Sequence, residues 1–487
     1  MIKPVKKLPE AVRDPLFTKI GTLADAEGID IYVVGGYVRD FLLHNKSKKD
    51  IDFTLVGDGP AFARKLASQL PGKPKVTVYK NFGTALIKTD KYILEFVGAR
   101  KESYVRNSRK PYVEPGTLED DLKRRDFTVN ALAIGLNRKN FGALLDPFNG
   151  LEDLKHRIIR TPLDPDITFS DDPLRMMRAA RFAAQLHFDI HADTLRAMKK
   201  NKERIRIVSP ERIVDELNKI LLSEKPSEGL LILFETGLLE EILPEVVRLQ
   251  GVEEVEGKTH KDNFYHTLEV VDNIARTDKN RNLWLRWAAL LHDIGKPATK
   301  RYHPKNGWSF HGHELVGAKM VPGIFKRLHM PLNHSMKYVQ KLIKLSSRPV
   351  ALNEENVTDS AIRRLIHDAG DELEDLITLC MADITTKNPN RRKKYQNNLL
   401  RVKEKTVEVE ERDRIRNFQP PVTGEIIMET FGIKPSKTVG EIKDAIKEAI
   451  LEGDIHNDFR EAYQYMLKLG REKGLEIRKN LLDSPSG

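Results

Sequence analysis

The hydrophobic periodicity of this chain changes once and does not change back. From Ile31 to Leu145, short apolar runs alternate with turns: Ile31-Tyr32-Val33-Val34, Ile51-Asp52-Phe53-Thr54-Leu55-Val56, Thr84-Ala85-Leu86-Ile87 and Tyr92-Ile93-Leu94-Glu95-Phe96-Val97. Runs of this length and composition read as strands. After Pro162 the apolar spacing is helical, punctuated by Pro173, Pro210, Pro226, Pro244, Pro297, Pro331 and Pro420-Pro421. The pattern predicts a small α/β head followed by all-α modules. A chain of 487 residues exceeds what one core supports, and about 150 residues per domain gives about three domains. Polar stretches at Glu253 to Lys261 and Lys387 to Lys394 are taken as breaks, so the expected division is 1–160, 161–252, 253–390 and 391–487. Within the second part, Ser209-Pro210-Glu211-Arg212 places Ser at an N-cap and Pro at N1, predicting a helix that runs to Leu222.

Lys and Arg number 82 against 71 Asp and Glu, a formal charge of +11, which is the sign a polyanion-binding protein carries. The single cysteine, Cys380, excludes an internal disulfide and a multi-cysteine zinc site, and in Leu379-Cys380-Met381 it reads as buried helix. No apolar stretch is long and uncharged enough to span a bilayer, so a cytoplasmic protein without a membrane partner is expected.

Val34-Gly35-Gly36-Tyr37-Val38-Arg39-Asp40 joins a buried strand to a helix through two glycines, a geometry that lets backbone N–H groups approach phosphate oxygens. Asp50-Ile51-Asp52 follows. Alternate residues of a strand share a face, so the two carboxylates stand side by side, and their repulsion is relieved by a divalent cation. Later come Leu118-Glu119-Asp120-Asp121-Leu122-Lys123-Arg124-Arg125-Asp126-Phe127-Thr128-Val129-Asn130-Ala131 and Asp146-Pro147-Phe148-Asn149-Gly150-Leu151. The series ends with Asp171-Asp172-Pro173-Leu174-Arg175-Met176-Met177-Arg178-Ala179-Ala180-Arg181-Phe182 and Pro210-Glu211-Arg212-Ile213.

This ordered series, from about Ile31 to Leu222, resembles the class II tRNA nucleotidyltransferase and bacterial poly(A) polymerase family, within the DNA polymerase β-like superfamily. The resemblance implies that Asp50 and Asp52 hold Mg²⁺ and that Gly35, Gly36, Arg39 and Arg125 contact the nucleotide. Glu95 is the candidate third carboxylate. The implied reaction adds C, C and A to the 3′ end of tRNA from CTP and ATP, releasing pyrophosphate; tRNA is the expected macromolecular partner, and DNA is not.

Asp172, Arg175, Arg178 and Arg181 recur every three residues and so form a drifting stripe on one helical face. A carboxylate accepts from the exocyclic amine of cytosine or adenine, and a guanidinium donates to the ring position beside it. By the resemblance, Asp172 and Arg175 read the base while Arg178 and Arg181 support the nucleotide; Asp171 stands where the family usually has Glu. The polar segment from Arg100 to Pro115 fits the loop with which the family switches from C to A addition.

Further on, Tyr265-His266-Thr267, Ala289-Leu290-Leu291-His292-Asp293-Ile294-Gly295-Lys296 and Met381-Ala382-Asp383 place His, His-Asp and Asp in order on apolar segments, where burial is costly unless they ligate metal. From about His260 to Asn390 this is similar to the HD phosphohydrolase superfamily, which implies a second divalent metal held by His266, His292, Asp293 and Asp383. Phe310-His311-Gly312-His313-Glu314 matches a further element, while Leu345-Ser346-Ser347 has serine where another histidine often sits, against a binuclear centre. Arg391-Arg392-Lys393-Lys394 and Arg412 to Arg416 are expected on tRNA phosphates, interleaved with Tyr395 or Phe418. Val422 to Met428 resembles a C-terminal element of nucleotidyltransferases with an HD body.

Shared motifs keep a poly(A) polymerase, or an enzyme adding only CC or only A, as the nearest alternatives. An HD phosphohydrolase whose head merely binds nucleotide is the alternative of another class, and a non-catalytic RNA-binding module a third. The intact Asp50/Asp52 pair argues against both of the latter.

Overall fold

The computed structural model describes residues 4–44, 49–79, 83–103, 112–255, 258–259, 262–352, 357–413, 415–416 and 418–482. Half of the expected switching loop, residues 104–111, lies outside them, as do the side chains of residues 102–113. Two compact units emerge, residues 1–244 and 245–487.

Among the described residues of the first 145 lie ten strands: β1 (Pro4–Lys7), β2 (Ile31–Val34), β3 (Asp50–Leu55), β4 (Val76–Tyr79), β5 (Thr84–Lys88), β6 (Ile93–Gly98), β7 (Arg100–Ser103), β8 (Tyr112–Pro115), β9 (Ala133–Gly135) and β10 (Ala143–Leu145). Eight of them form one sheet in the order β1-β10-β9-β2-β3-β6-β5-β4, and β7 and β8 pair separately. The β3–β6 pairing is parallel and sets Asp52 opposite Glu95, whereas β2 runs antiparallel to β3 and sets Val34 opposite Asp52.

Strand alternation decides which face is which. Ile51, Phe53 and Leu55 are buried while Asp50 and Asp52 are exposed. Phe53 stacks on Phe96 at 4.7 Å, with Phe17 and Phe62 packing beside them from the helices Pro15–Ala26 and Gly59–Gln69. Each buried phenylalanine contributes about 1.5–3 kcal/mol, and together they fix the sheet's helix-covered side. That commits the carboxylates to the other side, where Leu118 and Leu122 of the helix Leu118–Lys123 pack on Tyr32 and Val34.

The rest of the first unit is helical apart from a two-residue parallel ladder of Ile158–Ile159 with Asp189–Ile190. The expected helix runs Pro210–Leu221. In the second unit the helices Asn263–Thr277, Leu283–Leu291 and Leu373–Asp383 pack together. Short hairpins there, Glu254–Val255 with Lys258–Thr259 and Arg301–His303 with Gly307–Ser309, depart from the expected all-helical pattern. The break expected at Lys387 to Lys394 is instead the first turns of a helix, Pro389–Asp413. Asn388 Oδ1 accepts from the backbone N–H groups of Asn390 and Arg391, and Pro389 follows it, which is a helix start signal and not a linker.

Candidate active site and metal centre

Three carboxylates gather on the open face of the head sheet. Asp50 and Asp52 project from β3, and Glu95 stands beside Asp52 in direct register on β6. Asp52 has solvent on one side, but protein packs around its base: burial raises its carboxyl, Arg125 offsets part of this, and Asp50 raises it further. Glu95 is half-buried and likewise raised, first by burial and then by Asp52. Crowded carboxylates with raised protonation suit a divalent cation, which takes oxygen ligands.

Arg125 is held where it can face them. Its Nη2 donates to Asp121 at 3.2 Å and to Thr54 Oγ1 at 3.4 Å. Asp121 is fully buried; burial alone would raise its carboxyl, but Arg125 and Arg124 outweigh it and hold it below the usual range. Gly35 has φ +73°, and a Cβ there would lie 2.9 Å from Arg125 Nη1 and 3.5 Å from Asp52 Oδ2. The left-handed backbone there favours glycine. Gly36 opens the helix Gly36–His44 beside it.

Arg39 sits differently from expectation. It is 5% exposed, donates to Asp40 at 2.7 Å and Asn130 Oδ1 at 2.6 Å, and lies 5.0 Å over the Phe182 ring. Its guanidinium is part of the packed frame around the site.

The stripe from Asp172 to Arg181 is only partly one helical face. The helix spans Leu174–Leu186, and Asp172 precedes it, accepting the Leu174 N–H at 3.2 Å. Pro173 blocks continuation from the preceding helix, so Asp172 caps this one. Arg175, Arg178 and Arg181 do share a half-buried face. Arg175 donates to the Arg124 carbonyl at 2.6 Å, Arg178 grips Asp126, and Arg181 pairs with Glu216 at 2.5 Å and stacks 4.0 Å over Phe182. Asp121, Asp126 and Glu216 escaped the sequence reading, because the arginines that neutralise them come partly from distant segments.

A second cluster lies in the other unit. His266 Nε2 is 2.7 Å from Asp383 Oδ1 and 3.7 Å from Asp293 Oδ2; His292 Nε2 is 3.3 Å from Asp293 Oδ2 and 3.5 Å from Asp383 Oδ1. One ligand atom each from His266, His292 and Asp383 lies within 4.8 Å of the others. Second partners orient both rings: His292 Nδ1 meets the Ala289 carbonyl at 2.8 Å, and His266 Nδ1 meets Thr385 Oγ1 at 2.9 Å. His292 Nδ1 is committed to that carbonyl, which turns Nε2 toward Asp293 and Asp383. An imidazole nitrogen facing two carboxylates fits a divalent metal, which would take the place of the proton held there. Burial would lower His292, but Asp293 outweighs it and pushes the ring up to about 10. Lys296 Nζ is 2.6 Å from Asp293, and His313 Nε2 is 3.5 Å from its other oxygen. Beside Asp383 opens a cavity of about 570 Å³ whose walls include Thr386, Tyr395 and Asn398.

Arg391 to Tyr395 are exposed on their helix. Phe418 is buried, edge-on to His367 at 5.4 Å, so it does not interleave with a ligand as expected. Arg412 is engaged by Asp359 and Asp413, and Arg416 by Glu410. Cys380 is buried with its thiol pushed up by burial, against a reactive role.

Comparison with known proteins decides the family. Residues 31–160 match the poly A polymerase head domain, 187–249 the probable RNA and SrmB-binding site of polymerase A, and 263–380 the HD domain. An A-adding tRNA nucleotidyltransferase of Deinococcus radiodurans is 31% identical over 430 residues, covering 87% of this chain and 92% of that one. The chain belongs to the tRNA nucleotidyltransferase family. A multifunctional CCA protein of Aliivibrio salmonicida is 36% identical over 315 residues, 62% of this chain and 72% of that protein. Among solved structures, a tRNA nucleotidyltransferase complexed with a primer tRNA and an incoming ATP analog superposes with TM-score 0.55 at 25% identity, over 80% of this chain and 99% of that one. The Bacillus stearothermophilus CCA-adding enzyme in complex with CTP shares the fold, with TM-score 0.62 at 24% identity over 95% and 98%. This nucleotidyltransferase thus combines a mixed-sheet head with a helical HD body, and among its described residues no helix is long and apolar enough to cross a membrane.

Proposed function

We propose that this nucleotidyltransferase adds C, C and A to the 3′ end of tRNA from CTP and ATP, releasing pyrophosphate. The observation that carries the reading is the Asp50, Asp52 and Glu95 cluster with Arg125 beside it, within the motif series of the family. Asp50 and Asp52 would hold Mg²⁺, with Glu95 as the third carboxylate. Bound there, Mg²⁺ supplies charge neutralisation for the triphosphate and for the attacking 3′-hydroxyl. Arg125, restrained by Asp121, faces the triphosphate side of the carboxylates, and Gly35 and Gly36 leave the room a phosphate needs. Asp172 and Arg175 select the base by accepting from and donating to its edge. The exposed basic turns at Arg391 to Lys394 contribute to tRNA binding, and divisions at 160 and 252 separate head, neck and the HD-bearing remainder.

A second reading has its own support: the relative matched over nearly its whole length carries the name of an A-adding enzyme, so the chain would add only the final A. One experiment separates the two. The protein is incubated with Mg²⁺, labelled CTP or ATP, and tRNA lacking either all three terminal nucleotides or the last one only. CCA addition extends both; A addition extends only the second; continued growth in ATP alone marks a poly(A) polymerase. For the HD centre we infer one divalent metal on His266, His292, Asp293 and Asp383, with phosphoester hydrolysis as its chemistry; loss of phosphatase activity on chelation, with nucleotide addition measured in parallel, tests it.

A further inference from the structure

From Leu315 to Leu352 the chain holds Lys319, Lys326, Arg327, Lys337, Lys341, Lys344 and Arg348 and no Asp or Glu, although it carries 71 acidic residues in all. Most of that stretch folds into two helices of the second unit, His313–Arg327 and His334–Leu345, which pack on one another. Gln340 Nε2 bridges them by donating to the Ala318 carbonyl at 2.9 Å. A solvated basic helix face is commonly balanced by carboxylates three or four residues from its lysines. Here none follows Glu314 on either helix.

Between the helices lies a groove of about 500 Å³, whose walls include Leu315, Lys319, Lys337, Lys341 and Lys344, with Asp368 from the helix Asp359–Ala369. Lys337, Lys341 and Lys344 recur at helical spacing on one face, about 10 Å from first to last. Two of the charges around the groove are already engaged. Lys341 Nζ donates to Glu372 at 2.6 Å and to the Ala369 carbonyl at 3.2 Å, and Asp368 is taken by Arg348 and His367. Lys319, Lys337 and Lys344 are exposed and pair with no carboxylate among the described residues. Elsewhere in the same unit, Lys403 and Lys405 are matched by Glu374 and Asp359. Three unmatched ammonium groups around one groove leave a field that attracts anions.

We propose that this groove is an RNA contact of the second unit, in which Lys319, Lys337 and Lys344 neutralise phosphates of the tRNA backbone without reading its sequence. The inference rests on tRNA as the partner of the chain, and it holds whether the chain adds CCA or A alone. An acidic protein fits less well. Protein interfaces are depleted in lysine and anchored by aromatic residues and arginine, whereas this groove offers lysines and one exposed leucine, Leu315. Lysine meets phosphate as a point charge, and each phosphate neutralised releases counterions, so the contact carries a salt signature.

The test compares four full-length proteins: wild type, Lys319→Gln/Lys337→Gln/Lys344→Gln, the corresponding triple arginine variant, and a control, Lys73→Gln/Lys75→Gln/Lys88→Gln, which removes the same charge from exposed positions of the head. tRNA affinity is measured by fluorescence anisotropy between about 50 and 200 mM KCl, with thermal unfolding to confirm folding. The glutamine triple should lose about tenfold or more in affinity, and its slope of log affinity against log salt should fall by about two to three, at about 0.7–0.9 per phosphate contact. The arginine triple should keep both near wild type, because charge carries the contact. The control should keep its slope. Unchanged affinity and slope in the glutamine triple, an equal loss in the control, or an arginine triple as weak as the glutamine one would overturn the proposal. Inorganic tripolyphosphate is a second probe: if it binds wild type and not the glutamine triple, while tRNA affinity is the same for both, the groove is a site for small polyphosphates and the RNA contact is overturned. Wild-type protein that binds no tRNA would instead overturn tRNA as the partner, and this inference with it.

Discussion

Asp52 and Glu95 stand side by side in register on the parallel strands β3 and β6, each with its carboxyl raised by burial and by neighbouring negative charge. The arrangement stores repulsion that a cation relieves.

That repulsion has a measurable sign. A carboxyl raised on folding contributes stability that is fully present below its unfolded pKa and lost as pH rises through its folded pKa. Glu95→Gln should therefore raise the melting temperature of metal-free protein at pH 7 to 8, and the gain should vanish as pH falls below the ordinary glutamate range. Added Mg²⁺ should stabilise wild type more than the variant. Differential scanning fluorimetry across pH, with and without Mg²⁺, checks both, and a variant destabilised at neutral pH would contradict the account.

The HD cluster should carry metal after purification. Because His292 Nε2 faces Asp293 and Asp383 with Nδ1 committed to Ala289, Asp293→Ala is expected to lose most of the bound divalent ion in elemental analysis. Nucleotide addition should survive in that variant. Metal content equal to wild type would remove Asp293 from the ligand set.

Base reading by protein side chains makes a different prediction. If Asp172 accepts from the exocyclic amine, its contact contributes discrimination on the order of 1–3 kcal/mol, or about ten- to hundredfold. Asp172→Ala should lower CTP and ATP incorporation and narrow their advantage over UTP and GTP. Competition between nucleotides on one tRNA measures this, and undiminished selectivity would refute the role.

The parts legible in the sequence were those governed by local periodicity. Alternation alone put Asp50 and Asp52 on one face, with Ile51, Phe53 and Leu55 on the other, and the ordered apolar His, His-Asp and Asp segments anticipated a cluster that the helices bring together. What escaped depends on residues far apart in the chain. Arg39 and Arg178 carry a nucleotide-binding signature in the motif, yet both are engaged by partners within the protein, which no spacing rule reveals. The three-residue repeat runs through Asp172, but that residue lies before Pro173 and outside the helix, accepting the Leu174 N–H. The start of the helix Pro389–Asp413 reads as a break because Asn-Pro-Asn carries both turn and capping signals, and the backbone donors to Asn388 distinguish them.

On the proposed function, the head carboxylates drive nucleotide transfer to tRNA. The most direct test measures incorporation of labelled CTP and ATP onto tRNA lacking its 3′ end by wild type, Asp50→Ala and Asp52→Ala at saturating Mg²⁺, alongside tRNA affinity by filter binding. Wild type should incorporate nucleotide, neither variant should do so with any of the four nucleotides, and tRNA affinity should stay within a few-fold throughout. Wild-type rates in either variant would contradict it.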